Sequence, residues 1–520
     1  MTKSRILIQF EGYFNVGVAK YLQDNLDCDL HALVDINKQI KKFFLEQQLV
    51  NFKKVWYLRD YLLKLNTEPN LEYLTSFEKK YKINLWQIAH MDRILLPYNY
   101  YRCYHRYSRE EILQISERLC KLYEDIFDEV NPDFIILRTP DNFQGQLLLE
   151  LSHARKVTTL IPSHSRLGGR CMISSNVDII DNFDELFKSC NDTSLKTFEE
   201  LRNYLQGYKK QVYDLIENHG VNTTYQKLKA GLYYLLKVCN NEYRQHYANF
   251  GRTRTKILIQ ETSLAIKKII REYFINKNLK RDFDKNSKFV YYTLHLQPER
   301  STLNAAPFYV NQLEVITNIA KSLPVEYKLY VKEHPSQLFA EWRSISYYKY
   351  IMNLPNVELL HPAVSNDELL KHCSLVITIT GTPALEAAYY NKPSIVLGDT
   401  TYSSVLPSVY RLRSIEDLPN AIRTSLEKKV DISDLNRYTK CVLDNTFEYD
   451  IVGIDTFQIR RIPNSFYVPD VEIPNKEIID MINDMKVVWT KVGEAFVQKI
   501  RRHIDSKSAL LNNPLGNMNN

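Results

Sequence analysis

The chain reads as an α/β protein built from two parallel-sheet halves, and three observations predict it. The first is Val376 to Tyr402, VITITGTPALEAAYYNKPSIVLGDTTY. An apolar run with Leu375, Val376, Ile377 and Ile379 stops at Thr380-Gly381-Thr382-Pro383. A helix former run with Ala384, Leu385, Ala387 and Ala388 follows, and then a second apolar run, Ser394 to Leu397. That order is strand, tight turn, helix, strand. Unpaired N–H groups at such a helix start suit a phosphate, and Pro383 fits the first turn, where its missing N–H costs nothing. Glu386, one turn inside, is placed to accept from a ribose or to cap the turn. An ordinary threonine-capped crossover fits the same residues.

The second observation is Tyr327 to Val331, a strand that runs into Lys332-Glu333-His334-Pro335-Ser336. Ligands of open α/β sheets bind at the carboxyl ends of strands. Lys332 suits a phosphate there as a point charge, and His334 suits a phosphate oxygen or a leaving group. A structural hydrogen-bonding role is the plainer alternative for a histidine at a strand end. The third observation is Phe289 to Arg300, FVYYTLHLQPER, another strand with a polar exit through His295, Gln297, Glu299 and Arg300.

Together, LHLQPERST, YVKEHPS and ITITGTPALEAAYYNKPSIVLGDTTY resemble the C-terminal half of the capsule polysaccharide biosynthesis family, over about residues 285 to 420. That family includes bacterial Kdo transferases of the GT-B fold. The His-Pro pair also resembles the motif by which bacterial sialyltransferases hold the CMP part of their donor. The resemblance implies a GT-B-like α/β fold: two Rossmann-like domains facing a cleft, with a helical insertion and a C-terminal bracing helix. It implies that His334 and Pro335 lie against the nucleotide and that Thr380, Gly381 and Thr382 take its phosphate. It places Glu386 at the ribose or base, with Gln297 and Glu299 lining the cleft.

The N-terminal half alternates in the same way. Arg5 to Phe10 is a strand that turns at Glu11 to Asn15 into a helix from Val16 to Leu26. Leu30 to Val34 is a strand closed by Asp35, and a mostly helical stretch runs from Lys38 to about Glu129. Asp133 to Leu137 exits into Arg138-Thr139-Pro140-Asp141-Asn142 before a helix from Gln144 to Ala154. Val157 to Ile161 exits into Pro162-Ser163-His164-Ser165-Arg166. From about Phe183 to Leu279 no good strand appears, and Leu201, Tyr204, Leu205 and Tyr208 recur at helical spacing. A loop region, Ile462 to Pro474, precedes a long amphipathic helix from about Asn475 to Ile504. The tail from Ser506 to Asn520 is expected to fray. The expected domains are therefore 1–182 for the acceptor, 183–284 as helical insertion, 285–430 for the nucleotide sugar, and 431–520 as extension.

Composition limits the function classes. With 520 residues, 44% hydrophobic and 25% charged, the chain is long enough for several cores. No apolar run reaches the roughly 20 residues of a membrane span, and the N-terminus looks like a first strand, with no signal peptide. The eight cysteines are scattered, with no CxxC pair, which points away from zinc or a disulfide frame and towards a reducing cytoplasm. The net charge of +7 suits an anionic leaflet, an anionic nucleotide or an anionic glycan. Basic residues interspersed with acids argue against nucleic-acid binding.

Transfer from a nucleotide sugar needs donors for the departing phosphate and a carboxylate near the acceptor. Lys332, His334 and the N–H groups after Thr380 suit the first task without metal. Asp282-Phe283-Asp284 has DxD spacing but lies in a charged loop before a strand. For the carboxylate, Asp141, Glu11 and Asp35 each follow an N-terminal strand, with Asp141 favoured. Capping or turn roles are the plain alternative for each. Arg138, His164, Arg166 and Arg170 are the acceptor-side candidates, and a Gly-hinged surface loop with solvated arginines is the plain reading of 166–170.

The expected activity is cytoplasmic transfer of a sugar, Kdo or a related acidic one first, from a CMP-linked donor to a glycan or glycolipid. No cofactor is expected beyond that co-substrate. Association with the inner face of the membrane and with other capsule-assembly proteins completes the expectation. The alternatives are a teichoic-acid-type glycerophosphotransferase, a nucleotide-sugar epimerase, and a non-catalytic capsule export or assembly subunit.

Overall fold

A computed structural model describes residues 3–35, 38–62, 68–95, 104–191, 196–205, 247–251, 253–338, 342–449 and 474–512. Tyr208, the predicted loop from Ile462 as far as residue 473, and the tail beyond Asn512 lie outside them.

Strands that are apolar on both faces demand cover on both faces, which a parallel sheet wrapped by helices provides. The first sheet contains β1 (Ser4–Phe10), β2 (Cys28–Val34), β3 (Lys54–Tyr57), β4 (Phe134–Ile136), β5 (Thr158–His164), β6 (Arg170–Ser174) and β13 (Phe447–Glu448). Their order is β13-β6-β5-β4-β1-β2-β3. β1 is an interior strand parallel to both neighbours, with Ile6 opposite Leu30 and Phe134. The second sheet contains β7 (Phe289–Thr293), β8 (Lys328–Lys332), β9 (Val357–Leu360), β10 (Leu375–Thr378), β11 (Ser394–Val396) and β12 (Val409–Arg411). Its order is β12-β11-β10-β7-β8-β9, and every pairing is parallel. The two halves are thus Rossmann-like, as the alternation of strands and helices predicts.

Several elements differ from the sequence reading. The segment after β5 is an antiparallel hairpin into β6, with His164 opposite Cys171, where a plain strand exit was expected. β3 lies inside the stretch expected to be mostly helical; its four residues alternate too briefly to register. The C-terminal helix is two helices, Asn475–Asp484 and Lys486–Asn512. The second continues past Ser506, where fraying was expected.

The C-terminal part returns to the first half. β13 extends the first sheet, antiparallel to β6. Ile478, Met481, Trp489, Val492, Phe496 and Ile500 bury against the Phe14–Asn25 helix and the β1 face. Two glycines make this close approach work. A Cβ at Gly17 would stand 2.4 Å from the Trp489 ring, and one at Gly493 would stand 2.7 Å from the Tyr21 ring. A second apolar core joins the halves: Leu167, Met172, Ile180 and Phe183 pack with Leu385, Tyr389, Tyr402 and Tyr438.

In an open helix, Gly→Ala stabilises by up to about 1 kcal/mol. Here the added methyl overpacks a ring, which typically costs about 1–3 kcal/mol. Gly17→Ala and Gly493→Ala are therefore expected to lower the midpoint of thermal unfolding. A raised midpoint in either variant would refute this packing account.

Candidate functional site

The β7, β8 and β10 carboxyl ends are neighbours, and their exits form one polar patch. Register sets Thr293 opposite Lys332. Beyond β7, His295 is buried, and its Nε2 accepts the Thr380 N–H at 3.2 Å. The imidazole proton therefore belongs on Nδ1. Burial, then the charges near it, pull the His295 pKa down to about 3, so it is neutral. Gly381 is required at this turn: a Cβ there would lie 2.6 Å from Thr378 Oγ1 and 3.3 Å from His295 Nε2.

Thr380 builds the turn with all its polar atoms. Its hydroxyl donates to the Ser301 carbonyl at 3.0 Å, and its carbonyl accepts from Arg166 Nη1. The Tyr402 hydroxyl donates to the Gly381 carbonyl at 2.9 Å. Thr382 begins the Thr382–Tyr389 helix; Pro383 carries no N–H and the Ala384 N–H donates to the Gly381 carbonyl at 3.3 Å, so the Thr382 N–H is the donor this start offers an anion. Glu386, buried in that helix, accepts from Asn366 Nδ2 at 3.0 Å, and Asn366 in turn accepts from the Tyr291 hydroxyl at 2.6 Å.

The β8 exit rests on a buried ion pair. Glu333 is fully buried and accepts from Arg343 Nε at 2.9 Å, from the Tyr348 hydroxyl at 2.7 Å and from the His334 N–H at 2.7 Å. Arg343 also donates to the His295 carbonyl and, at 2.9 Å, to Gln297 Oε1. Gln297 Nε2 donates to the Val310 carbonyl at 2.7 Å, and Gln337 brackets the Gln297 backbone at 3.2 and 3.3 Å. The Gln297 amide thus braces two loops together. His334 Nδ1 accepts from the Ser336 N–H at 3.1 Å, which puts the proton on Nε2 as a donor. Burial first, aided by Arg343 and Lys332 against Glu333, pulls the His334 pKa down to about 4. Pro335 opens a short 3-10 turn through Leu338, and Lys332 is buried at the end of β8.

The first sheet faces this patch with carboxylates and arginines. Glu11 follows β1, and its side chain is 14% exposed, 3.3 Å from Arg138. Burial, opposed by Arg138 and reinforced by Asp141, raises its pKa to about 7. Asp141 is more exposed and pairs with Arg93 at 3.1 Å. Asp35 is buried against Gln144. Arg166 and Arg300 share the Asp178 carboxylate at 3.2 and 3.3 Å, and Arg300 Nε donates to the Pro140 carbonyl at 3.1 Å. Glu299 accepts from the Ser301 hydroxyl at 3.0 Å. The surrounding protein raises its pKa, and Arg93 and Arg166 lie near enough to oppose that rise.

The structure therefore groups Glu11, Arg138 and Asp141 on one side, with Glu299, His334 and the Thr380–Thr382 turn on the other and Arg166 crossing between. Arg170 stands apart. It donates to Thr446 Oγ1 at 2.8 Å and to the Leu443 carbonyl at 2.9 Å, strapping β6 to the returning chain. His164 ends β5 at the hairpin. Asp282 and Asp284 accept from the Phe283 and Asn286 N–H groups as turn residues. Among the described residues, no group of three or more His, Cys, Asp or Glu is arranged to hold a metal ion.

Sequence reasoning missed Arg93, Asp178 and Arg343, which lie in segments without a strand-exit signal. Glu333 stood in plain view between Lys332 and His334.

Removing the guanidinium would leave Glu333 charged and buried. Arg343→Ala is expected to lower stability to urea by about 3–5 kcal/mol and to disorder the His295 contact with Thr380. A loss below about 1 kcal/mol would refute the central role of the pair.

Comparison with known proteins adds three findings. Residues 201–405 match the family described as capsule polysaccharide biosynthesis protein. No curated protein matches the chain. Similar solved structures include the β-Kdo 2,7 transferase KpsC of Thermosulfurimonas dismutans, at 12% identity and TM-score 0.31, covering 74% of this chain and 98% of that one. They also include the UDP-GlcNAc 2-epimerase of Methanocaldococcus jannaschii with UDP-GlcNAc and UDP, at 14% identity and TM-score 0.24, covering 85% and 100%. A putative UDP-N-acetylglucosamine 2-epimerase of Listeria monocytogenes, at 10% identity and TM-score 0.22, covers 91% and 99%. The matched stretch, residues 201–405, takes in the β7, β8 and β10 exits.

Proposed function

We propose that this chain is a glycosyltransferase of surface polysaccharide synthesis that moves an acidic sugar from a CMP-linked donor to a glycan or glycolipid acceptor. The observation that carries the reading is the junction of the two sheets: Arg166 reaches the Thr380 carbonyl and Arg300 the Pro140 carbonyl, and Glu11, at the β1 exit beside Arg138, is a carboxyl raised to about 7. A general base works best with its pKa near the working pH. In this reading Glu11 takes the acceptor hydroxyl proton, and Arg138 and Asp141 set its charge. The donor phosphate lies at the Thr382 N–H and His334 Nε2–H, with Lys332 adding positive charge as the phosphate departs. Pro335 and Glu386 border the nucleotide, while Gln297 acts as a brace. Glu299 and Arg166 border the sugar. The reaction needs no metal, and the donor places it on the cytoplasmic side.

Transfer of a CDP-linked polyol, as in teichoic-acid-type enzymes, would use the same phosphate contacts. Nucleotide binding separates the two readings. A ligand at about 100 times its Kd stabilises by roughly 2.7 kcal/mol. Of CMP, CDP, UDP, UMP and GDP, CMP is expected to raise the unfolding midpoint, equally with and without magnesium, and His334→Ala to abolish the rise. Stabilisation by UDP, GDP or CDP alone would overturn the CMP donor. No response to any nucleotide would favour a non-catalytic assembly subunit.

The role of Glu11 has its own test. As a base it must be ionised, so kcat/KM is expected to rise with pH to a plateau above about 7. Glu11→Gln should lose that rise and about 10²–10⁴ in rate. Its stability should change the other way. The native pKa stands above the unfolded value, so the stability from a protonated Glu11 is full below about pH 4.5 and lost as pH rises through 7. Glu11→Gln is therefore expected to be more stable than the parent at pH 8, on the order of 2 kcal/mol, with no such gain at pH 4. A variant with parental rate and pH profile would remove Glu11 from the chemistry.

A further inference from the structure

The Arg254–Asn278 helix is apolar on two opposite faces. Leu264 and Ile275 bury one face, eleven residues apart. On the other, Ile259, Ile266, Ile270 and Tyr273 recur at spacings of seven, four and three, which is one stripe of a helix. Each is more than half exposed, from 53% at Ile270 to 72% at Ile259, and Ile269 widens the stripe at 69%. From Ile259 to Tyr273 the stripe runs about 21 Å at 1.5 Å per residue. Isolated exposed apolar residues are ordinary, but a contiguous band marks an interaction surface.

Charge selects the occupant. The helix carries Arg254, Lys256, Lys267, Lys268, Arg271 and Lys277 against Glu261 and Glu272. By the 100° step per residue, both glutamates fall on the side away from the stripe. Lys256, Lys267 and Lys277 are exposed and flank or continue it, and Lys277 lies over the Tyr273 ring at 5.8 Å. A second copy pairing through the same stripe would set these lysines against each other, which repels. An anionic lipid surface meets both needs, taking the isoleucines below the headgroups and the lysines among them. The helix would lie on the bilayer, since no helix among the described residues is long and apolar enough to cross one.

We propose that the exposed Ile259–Tyr273 face of this helix docks the protein on an anionic membrane surface. The proposal is independent of the catalytic reading, although a lipid-linked acceptor would be presented at such a surface. The test is co-sedimentation of the full chain with vesicles of phosphatidylcholine alone or mixed with phosphatidylglycerol, with sedimentation velocity in parallel. Binding to the anionic vesicles is expected, weakened by salt. Ile266→Asp with Ile270→Asp should reduce it at least tenfold, and Lys267→Glu with Lys277→Glu by roughly tenfold. Because these side chains are exposed, both variants should keep the parental unfolding midpoint and nucleotide response. Absence of binding, or binding unchanged in the isoleucine variant, would overturn the proposal. A concentration-dependent dimer lost in that variant would assign the stripe to a second copy instead.

Discussion

The buried Glu333–Arg343 pair is the constraint on which the rest of the second half depends. Two charges taken out of water are tolerable only when each is paired and hydrogen-bonded. Arg343 meets that demand by reaching Glu333, the His295 carbonyl and Gln297 at once. It therefore ties the β7 exit to the β8 exit, and His295 carries the tie to the β10 turn through Thr380. From the Thr380 carbonyl the path crosses to Arg166, then to Asp178 and Arg300. One hydrogen-bonded path thus runs from the core of one half into the loops of the other. A shift at Arg343 would reach the β7 and β8 exits and, through His295, the β10 turn.

Much of this frame was legible in the sequence, because parallel strands buried on both faces leave apolar runs that end abruptly in polar residues. Phe289–Thr293, Lys328–Lys332 and Leu375–Thr378 show that pattern, and their exits do converge. Short strands such as Lys54–Tyr57 and Phe447–Glu448 carry too few residues to show a period, and the second is defined by a partner, β6, far back along the chain. The candidate site was legible by residue type, while the contacts its side chains make were not. Gln297 and Arg170 sit in suggestive motifs, yet Gln297 bonds Arg343 and the Val310 carbonyl, and Arg170 bonds Thr446 and the Leu443 carbonyl. Arg93 reaches Asp141 from a helix end 48 residues away, and no local pattern announces such a meeting.

The apolar core shared by the two halves bears on how the site opens. Leu167, Ile180 and Phe183 bury against Leu385, Tyr389 and Tyr402, so part of the junction is an apolar core. The Arg166–Asp178–Arg300 cluster is partly solvent-exposed and polar. Any movement that admits substrate is easier at the polar contacts than at the apolar ones. Arg166 has a positive φ of 62°, a conformation uncommon for a residue with a side chain. Its guanidinium bridges the junction from the Thr380 carbonyl to Asp178.

The ionisation pattern divides the labour between the halves. In the second half, burial keeps His295 and His334 neutral at physiological pH, so each ring offers one N–H and one lone pair in a defined place. Neutral rings hold the β10 turn and the His334 Nε2–H in one arrangement, whereas a charged ring would have two donors and would break its contact to Thr380 or to Ser336. In the first half, burial works on a carboxyl and leaves Glu11 divided between its two forms near neutrality. The same cause, loss of water around a titratable group, fixes the protonation state on one side and leaves it responsive on the other. That contrast is what the proposed transfer, with a steady anion site and a mobile proton, would use. It follows from which side chains the strand ends happen to bury.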